Sequence, residues 1–334
     1  MIKNKTFYCE MASYLLIAAA LVMIITNGLL AALLAGTLVY SLVTIFSPRL
    51  ELHVGNDKAR MIMVGIIGAI IVAMLTLLVW GSIAFLKSEN GNAQVLLQKL
   101  ADIIDASRSN CPPWICSNLP DSTLELHEML SSWLREHSGQ AKVLGADAGH
   151  AFARTLIAMI IGAMISLHLT PLSQAPLAVA LINRISTFED SFKKIVFAQL
   201  KISGINTLAT GFYILVILPS FGIHLPLAKT MIVLTFILGM MPIIGNLLSN
   251  TMIVIIALPF GLAAAVLSLL FLIVLHKGEY FLNAKIIGNQ IKSNAWELLI
   301  AALVMEAIFG LAGVVVAPIL YAYLKQELKH LKLI

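Results

Sequence analysis

Charged residues divide this chain into long stretches that contain none. Met11 to Pro48, Met61 to Leu86, Thr155 to Asn183, Ile202 to Ala228 and Thr230 to His276 hold no Asp, Glu, Lys or Arg, and Leu298 to Leu324 holds only Glu306. Each exceeds the ~20 residues with which a helix crosses a ~30 Å hydrocarbon core. Lipid offers the backbone no partner, so such segments are expected to pair their own amides and carbonyls as helices. Two runs are too long for one crossing. The 38 residues from Met11 to Pro48 and the 47 from Thr230 to His276 would reach ~57 Å and ~70 Å as single helices. The first has Thr26-Asn27-Gly28 near its middle, a turn-permissive triplet. The second carries Met240-Met241-Pro242-Ile243-Ile244-Gly245-Asn246 and later Pro259-Phe260-Gly261, where proline removes a donor and glycine permits unusual dihedrals. In the last run Gly310 and Gly313 lie mid-way and Pro318 follows, so a broken, re-entrant or tilted element is expected there.

The pattern predicts an all-α, polytopic membrane protein with about eight helical membrane segments, some broken or re-entrant. Residues 1–86 form an N-terminal hairpin and a first full transmembrane helix. Residues 87–149 form a small helical soluble insert, and 150–334 a membrane core with an amphipathic stretch at 181–201. In that stretch Ile185, Phe188, Phe192, Ile195, Val196 and Gln199 oppose Arg184, Glu189, Lys193 and Lys194, which suits a helix at the membrane surface or a coupling element. Within the insert, Leu124 to Leu134 has apolar residues at helical spacing.

Composition strengthens the class assignment. Hydrophobic residues make up 60% of the 334 and charged residues 12%, against about 25% charged in soluble proteins. A soluble enzyme, a nucleic-acid binder and a disordered chain are excluded. The first apolar run is too long for a cleaved signal peptide, so retention of the N-terminus is expected.

The net charge of +5 is better read as topology than as affinity for nucleic acid. Placing 1–12, 47–60, 184–201, 283–295 and 325–334 on one side collects 14 of the 22 Lys and Arg there. The insert has five basic residues against eight acids, which puts it on the opposite side. Both termini are then expected in the cytoplasm and residues 87–149 outside.

Cys111 and Cys116 flank Pro-Pro-Trp-Ile in the insert, where an oxidising exterior would let them pair as a disulfide or leave free thiols. Two cysteines without placed histidines make no zinc site. No nucleotide-binding loop, metalloprotease helix or nucleophile elbow is present. No organic cofactor or metal is therefore expected, and any transport would draw on a proton or sodium gradient; an oligomeric scaffold or channel is the reading of a different class. The candidate residues are helix breaks and ionisable groups in apolar surroundings. Pro242, Gly245, Asn246 and Asn250 form one set, either a kink glued by amides or the lining of a transport path. Gly310 and Gly313 form another. Glu306 must be protonated, face water or meet a cation, and with Glu279 it is the candidate for coupling or ion binding. Asn283, Lys285 and Gly288 lie where a helix leaves the bilayer.

From about Phe188 onward the chain resembles the autoinducer-2 exporter family of bacterial membrane permeases. Three segments carry the likeness: Phe236 to Asn246 with its Met-Pro-Ile-Ile-Gly element, Lys285-Ile286-Ile287-Gly288, and Phe309-Gly310-Leu311-Ala312-Gly313 leading to Pro318. The resemblance implies a multi-pass protein of the bacterial cytoplasmic membrane, a homo-oligomer, and export of a small polar solute such as autoinducer-2 or exchange of a monovalent cation. Asn283-Ala284 stands where the family often has an acid and a proline, and Glu306 where a small residue is usual.

Overall fold

The computed structural model describes the backbone of residues 2–87, 128–129, 131–132, 136, 138–167, 175–225, 228–240, 244–257, 260, 262–291 and 293–333. Every regular element among them is helical. In chain order these are α1 Ile2–Thr26, α2 Leu30–Val54, α3 Asn56–Lys87, α4 Ser138–Leu167, α5 Pro176–Phe212, α6 Ala228–Gly239, α7 Ile244–Ala257, α8 Leu262–Ile291 and α9 Ala295–His330. A π turn, Tyr213–Ile217, and a short helical turn, Leu218–Ser220, continue α5.

Six stretches among the described residues are long and apolar enough to cross a membrane: Phe7–Thr26, Leu30–Glu51, Lys58–Leu77, Gly145–Leu167, Pro176–Ser220 and Trp296–His330. This is the architecture of a multi-pass α-helical membrane protein. Large apolar side chains stay exposed along them, Leu15, Met74, Ile161 and Leu303 among them. In water such a surface would drive association; in lipid it is the solvent-facing side.

The breaks fall where glycine was expected to permit them. α1 ends at Thr26 and α2 starts at Leu30, with Gly28 in the turn at φ 67°. α9 is interrupted at Gly310, whose φ of 62° and ψ of −147° are accessible to glycine and strained for any other residue. A continuous helix would hold Glu297 and Lys325 ~42 Å apart. Their charged atoms instead meet at 2.6 Å, so the two arms of α9 fold back on each other. The second arm continues helically through Pro318.

α6 and α7 make a second hairpin. Thr235 and Ser249 would be separated by ~21 Å on one helix, yet their hydroxyls lie 2.6 Å apart. The arms, 12 and 14 residues long, reach only ~18 Å and ~21 Å. Neither crosses a ~30 Å core, so the pair suits entry and exit on one face.

Contacts divide the chain into two compact units. One comprises Met1–Val72, Gly145–Ala198 and Ala284–Ile334; the other comprises Ala73–Leu144 and Gln199–Asn283. In the first, Val39, Val43, Met63 and Ile67 pack with Met159 and Ala163, and Ile25, Leu30 and Val316 pack with Met305 and Phe309. In the second, Tyr213, Ile214, Leu218, Met231, Ile253, Ala257 and Leu272 form the core.

One expectation needs correction. The amphipathic stretch 181–201 and the following apolar run are a single helix, α5, and its faces are not divided as the pattern implied. Ile185 is exposed while Arg184 is buried. The reason is electrostatic: Arg184 finds carboxylate partners, Glu327 and Glu10, inside the first unit, and they offset the cost of removing it from water. Phe188, Phe192 and Ile195 do face inward.

Candidate functional site

The hairpin of α6 and α7 is built around one close approach. A methyl group at Gly245 would overlap the carbonyl oxygen of Leu238, so only glycine lets the arms meet there. The end of α6 leaves backbone carbonyls without helical partners, and α5 supplies donors for two. The Gln199 amide donates to the Gly239 carbonyl at 2.8 Å, and the Ser203 hydroxyl donates to that of Phe236 at 2.7 Å. Both side chains are buried. Leaving a buried carbonyl unpaired costs about 1–3 kcal/mol, so these two bonds fix the broken end in apolar surroundings. Deeper in the same unit, Tyr213 and Ser268 share a hydrogen bond of 2.9 Å, and the Tyr213 ring stacks on Phe271 with centroids 4.0 Å apart.

Of the residues expected to line a path here, Gly245 is buried and Asn250 half-buried. Asn246 belongs to α7 by its backbone, and its side chain lies outside the described residues, as does Pro242 altogether. Glu279 is buried on α8, with His276 Nδ1 3.7 Å from its carboxylate. Asn283 and Gly288 lie on α8 by their backbone, and Lys285 is exposed there.

The α9 hairpin repeats this construction in the first unit. Gly313 takes the close-approach position, since a methyl there would overlap the Met305 carbonyl oxygen. At the open end Glu297 gathers donors: the Asn294 backbone N–H at 3.1 Å, the Lys325 ammonium at 2.6 Å and the Tyr321 hydroxyl. Glu306 lies four residues before the Gly310 break. It is exposed and makes neither a hydrogen bond nor an ion pair among the described residues. An internal partner for Glu306, one of the alternatives left open by the sequence, is thus not found among the described residues.

A charged cluster that the sequence reading did not single out joins α1, α5 and α9. The Arg184 guanidinium donates to Glu327 and to Glu10, and the Tyr14 hydroxyl donates to Glu327 at 3.2 Å. The guanidinium carbon stands 4.1 Å from the Tyr14 ring centroid, a cation–π geometry. Phe188 packs edge-on against Tyr323 beside it, with centroids 5.9 Å apart. A positional signal existed: Glu10 and Arg184 each border a charge-free run, and Glu327 lies three residues beyond the last apolar one.

Cys9 is a free thiol; Cys111 and Cys116, expected to pair, lie outside the described residues. Among the described residues no group of three His, Cys, Asp or Glu side chains could hold a metal ion. No protein-family model, curated protein or solved structure matches the chain.

Proposed function

We propose that this chain is a secondary permease of the bacterial cytoplasmic membrane that exports a small polar solute without ATP, autoinducer-2 being the candidate suggested by the family resemblance. The observation that carries this reading is the pair of helical hairpins, α6–α7 and the two arms of α9, each bent within an apolar stretch and closed on glycine. Short or broken membrane helices with polar groups at their ends are a recurrent basis for solute sites in secondary transporters. Asn250 and Asn246 would offer amides to the solute. About eight membrane segments, cytoplasmic termini, an external insert and a homo-oligomeric assembly belong to the same proposal.

Glu306 favours a second reading, sodium/proton antiport. A carboxylate exposed on an apolar helix and lacking a partner among the described residues is costly against lipid, so it belongs against a water-filled path or a second copy. Reconstituted proteoliposomes separate the two readings. Labelled autoinducer-2 should leave vesicles under an imposed proton or sodium gradient if the exporter reading holds, whereas the antiporter exchanges cations with no organic solute present. Glu306→Gln should abolish coupling to the gradient; flux that responds to both gradients as in the unmodified protein would remove Glu306 from the mechanism.

A further inference from the structure

A stripe of polar side chains runs along α5 in the second unit, within an otherwise apolar stretch: Gln199, Ser203, Asn206, Thr207, Thr210 and, in the π turn, Tyr213. Their spacing keeps them on neighbouring faces. The two ends are accounted for by the hydrogen bonds to α6 and to Ser268. The middle is not. Asn206 is 2% exposed and Thr210 0%, and the oxygens Asn206 Oδ1, Thr207 Oγ1 and Thr210 Oγ1 are all buried without a hydrogen-bond partner among the described residues.

Threonines elsewhere in these helices behave differently. Thr26, Thr37, Thr155, Thr187 and Thr235 each donate to the carbonyl four residues earlier, the usual refuge of a helical hydroxyl. Thr207 and Thr210 do not take it. Two hydroxyls and an amide oxygen left unpaired within one turn are costly, which points to an occupant.

Electrostatics narrows its chemistry. The C-terminal end of α6 meets only the start of the stripe, at Gln199 and Ser203, and the charge of a helix end acts over about one turn, so the unpaired oxygens further along must be read from their own chemistry. The π turn that follows shifts the backbone ladder by one residue, a device frequent at functional sites. The buried amide oxygen of Asn206 can only accept, and a buried acceptor disfavours an anion beside it. Neutral hard oxygens without thiolate, imidazole or carboxylate disfavour transition metals and the common divalent ions. We propose that Asn206, Thr207 and Thr210 bind a partly dehydrated alkali-metal cation. As a coupling ion it would deepen the permease reading, on which that role rests; the binding itself does not depend on transport.

The test uses the full chain in lipid nanodiscs and Na+ as the probe. Thermal unfolding midpoints are measured while NaCl replaces choline chloride at constant ionic strength. The unmodified protein should gain stability saturably with Na+. The double variant Thr207→Val, Thr210→Val keeps side-chain shape and removes two unpartnered hydroxyls. Its midpoint in choline should equal or exceed the original, and its apparent Na+ affinity should fall by about tenfold or more. Should that variant fail to fold, Asn206→Asp supplies a carboxylate and should raise Na+ affinity. Equal midpoints in Na+ and choline, or an Na+ response unchanged by these substitutions, overturn the site. Absent Na+ binding with solute flux intact overturns this inference and leaves the permease; Na+ binding without solute flux supports the site and overturns the permease.

Discussion

Arg184 shows how much a single charge can weigh in a chain this poor in charges. Its side chain and that of Glu327 are 8% and 3% exposed, while Glu10 is 46% exposed. Arg184→Met would leave the buried Glu327 without its cation, and breaking such a pair from one side costs about 3–5 kcal/mol. Glu10→Gln removes a partner that water still reaches, so the expected loss is under ~1 kcal/mol. Replacing both Arg184 and Glu327 by Met should recover most of the stability, because the charge then left unpaired, Glu10, is still reached by water. Thermal unfolding in one detergent ranks the variants. Equal losses for Arg184→Met and Glu10→Gln would mean that burial does not set the strength of this cluster.

At the scale of elements, the hairpins rest on the backbone freedom of glycine and on side-chain donors brought from α5. Gly310→Ala forces a methyl-bearing residue into a glycine-only conformation, a cost of about 1–3 kcal/mol. Gly245→Ala is expected to be worse, since the added methyl meets a backbone oxygen that no rotamer change can move away. Gln199→Leu keeps the bulk but orphans the Gly239 carbonyl, an expected loss of about 1–3 kcal/mol. Unfolding of the purified variants measures all three, and a Gly245→Ala protein as stable as the original would contradict the close approach of α6 and α7. These same elements mark what was legible in the sequence. Turns at Gly28 and Gly310 were readable because each glycine interrupts an apolar run too long, or too rich in breakers, for one straight helix. The cap formed by Gln199 was not, because its acceptor lies 40 residues away and nothing local distinguishes it from any surface amide. Glu10, Arg184 and Glu327 stood visibly at the edges of apolar runs, but sequence position alone does not tell a pair from three snorkelling side chains.

For the whole molecule the decisive property is how the chain is threaded, and the arrangement of its basic residues makes a specific claim. Fourteen of the 22 Lys and Arg fall in segments assigned to one side, and cytoplasmic loops retain such residues because moving them across the membrane is costly. The insert, with five basic residues against eight acids, carries no such bias, although its length weakens the rule for that segment. A chain in which Cys9, Cys111 and Cys116 are replaced by Ser provides the background for single cysteines at Ser132, in the insert, and Lys332, near the C-terminus. A membrane-impermeant maleimide added to intact spheroplasts should label Ser132→Cys and spare Lys332→Cys, and lysis should make both reactive. The opposite labelling would invert the topology and place Arg184, Glu10 and Glu327 toward the exterior. Labelling of both sites in intact cells would place the insert and the C-terminus on one side, requiring an even number of crossings between them and removing the opposed placement that the charge pattern implies.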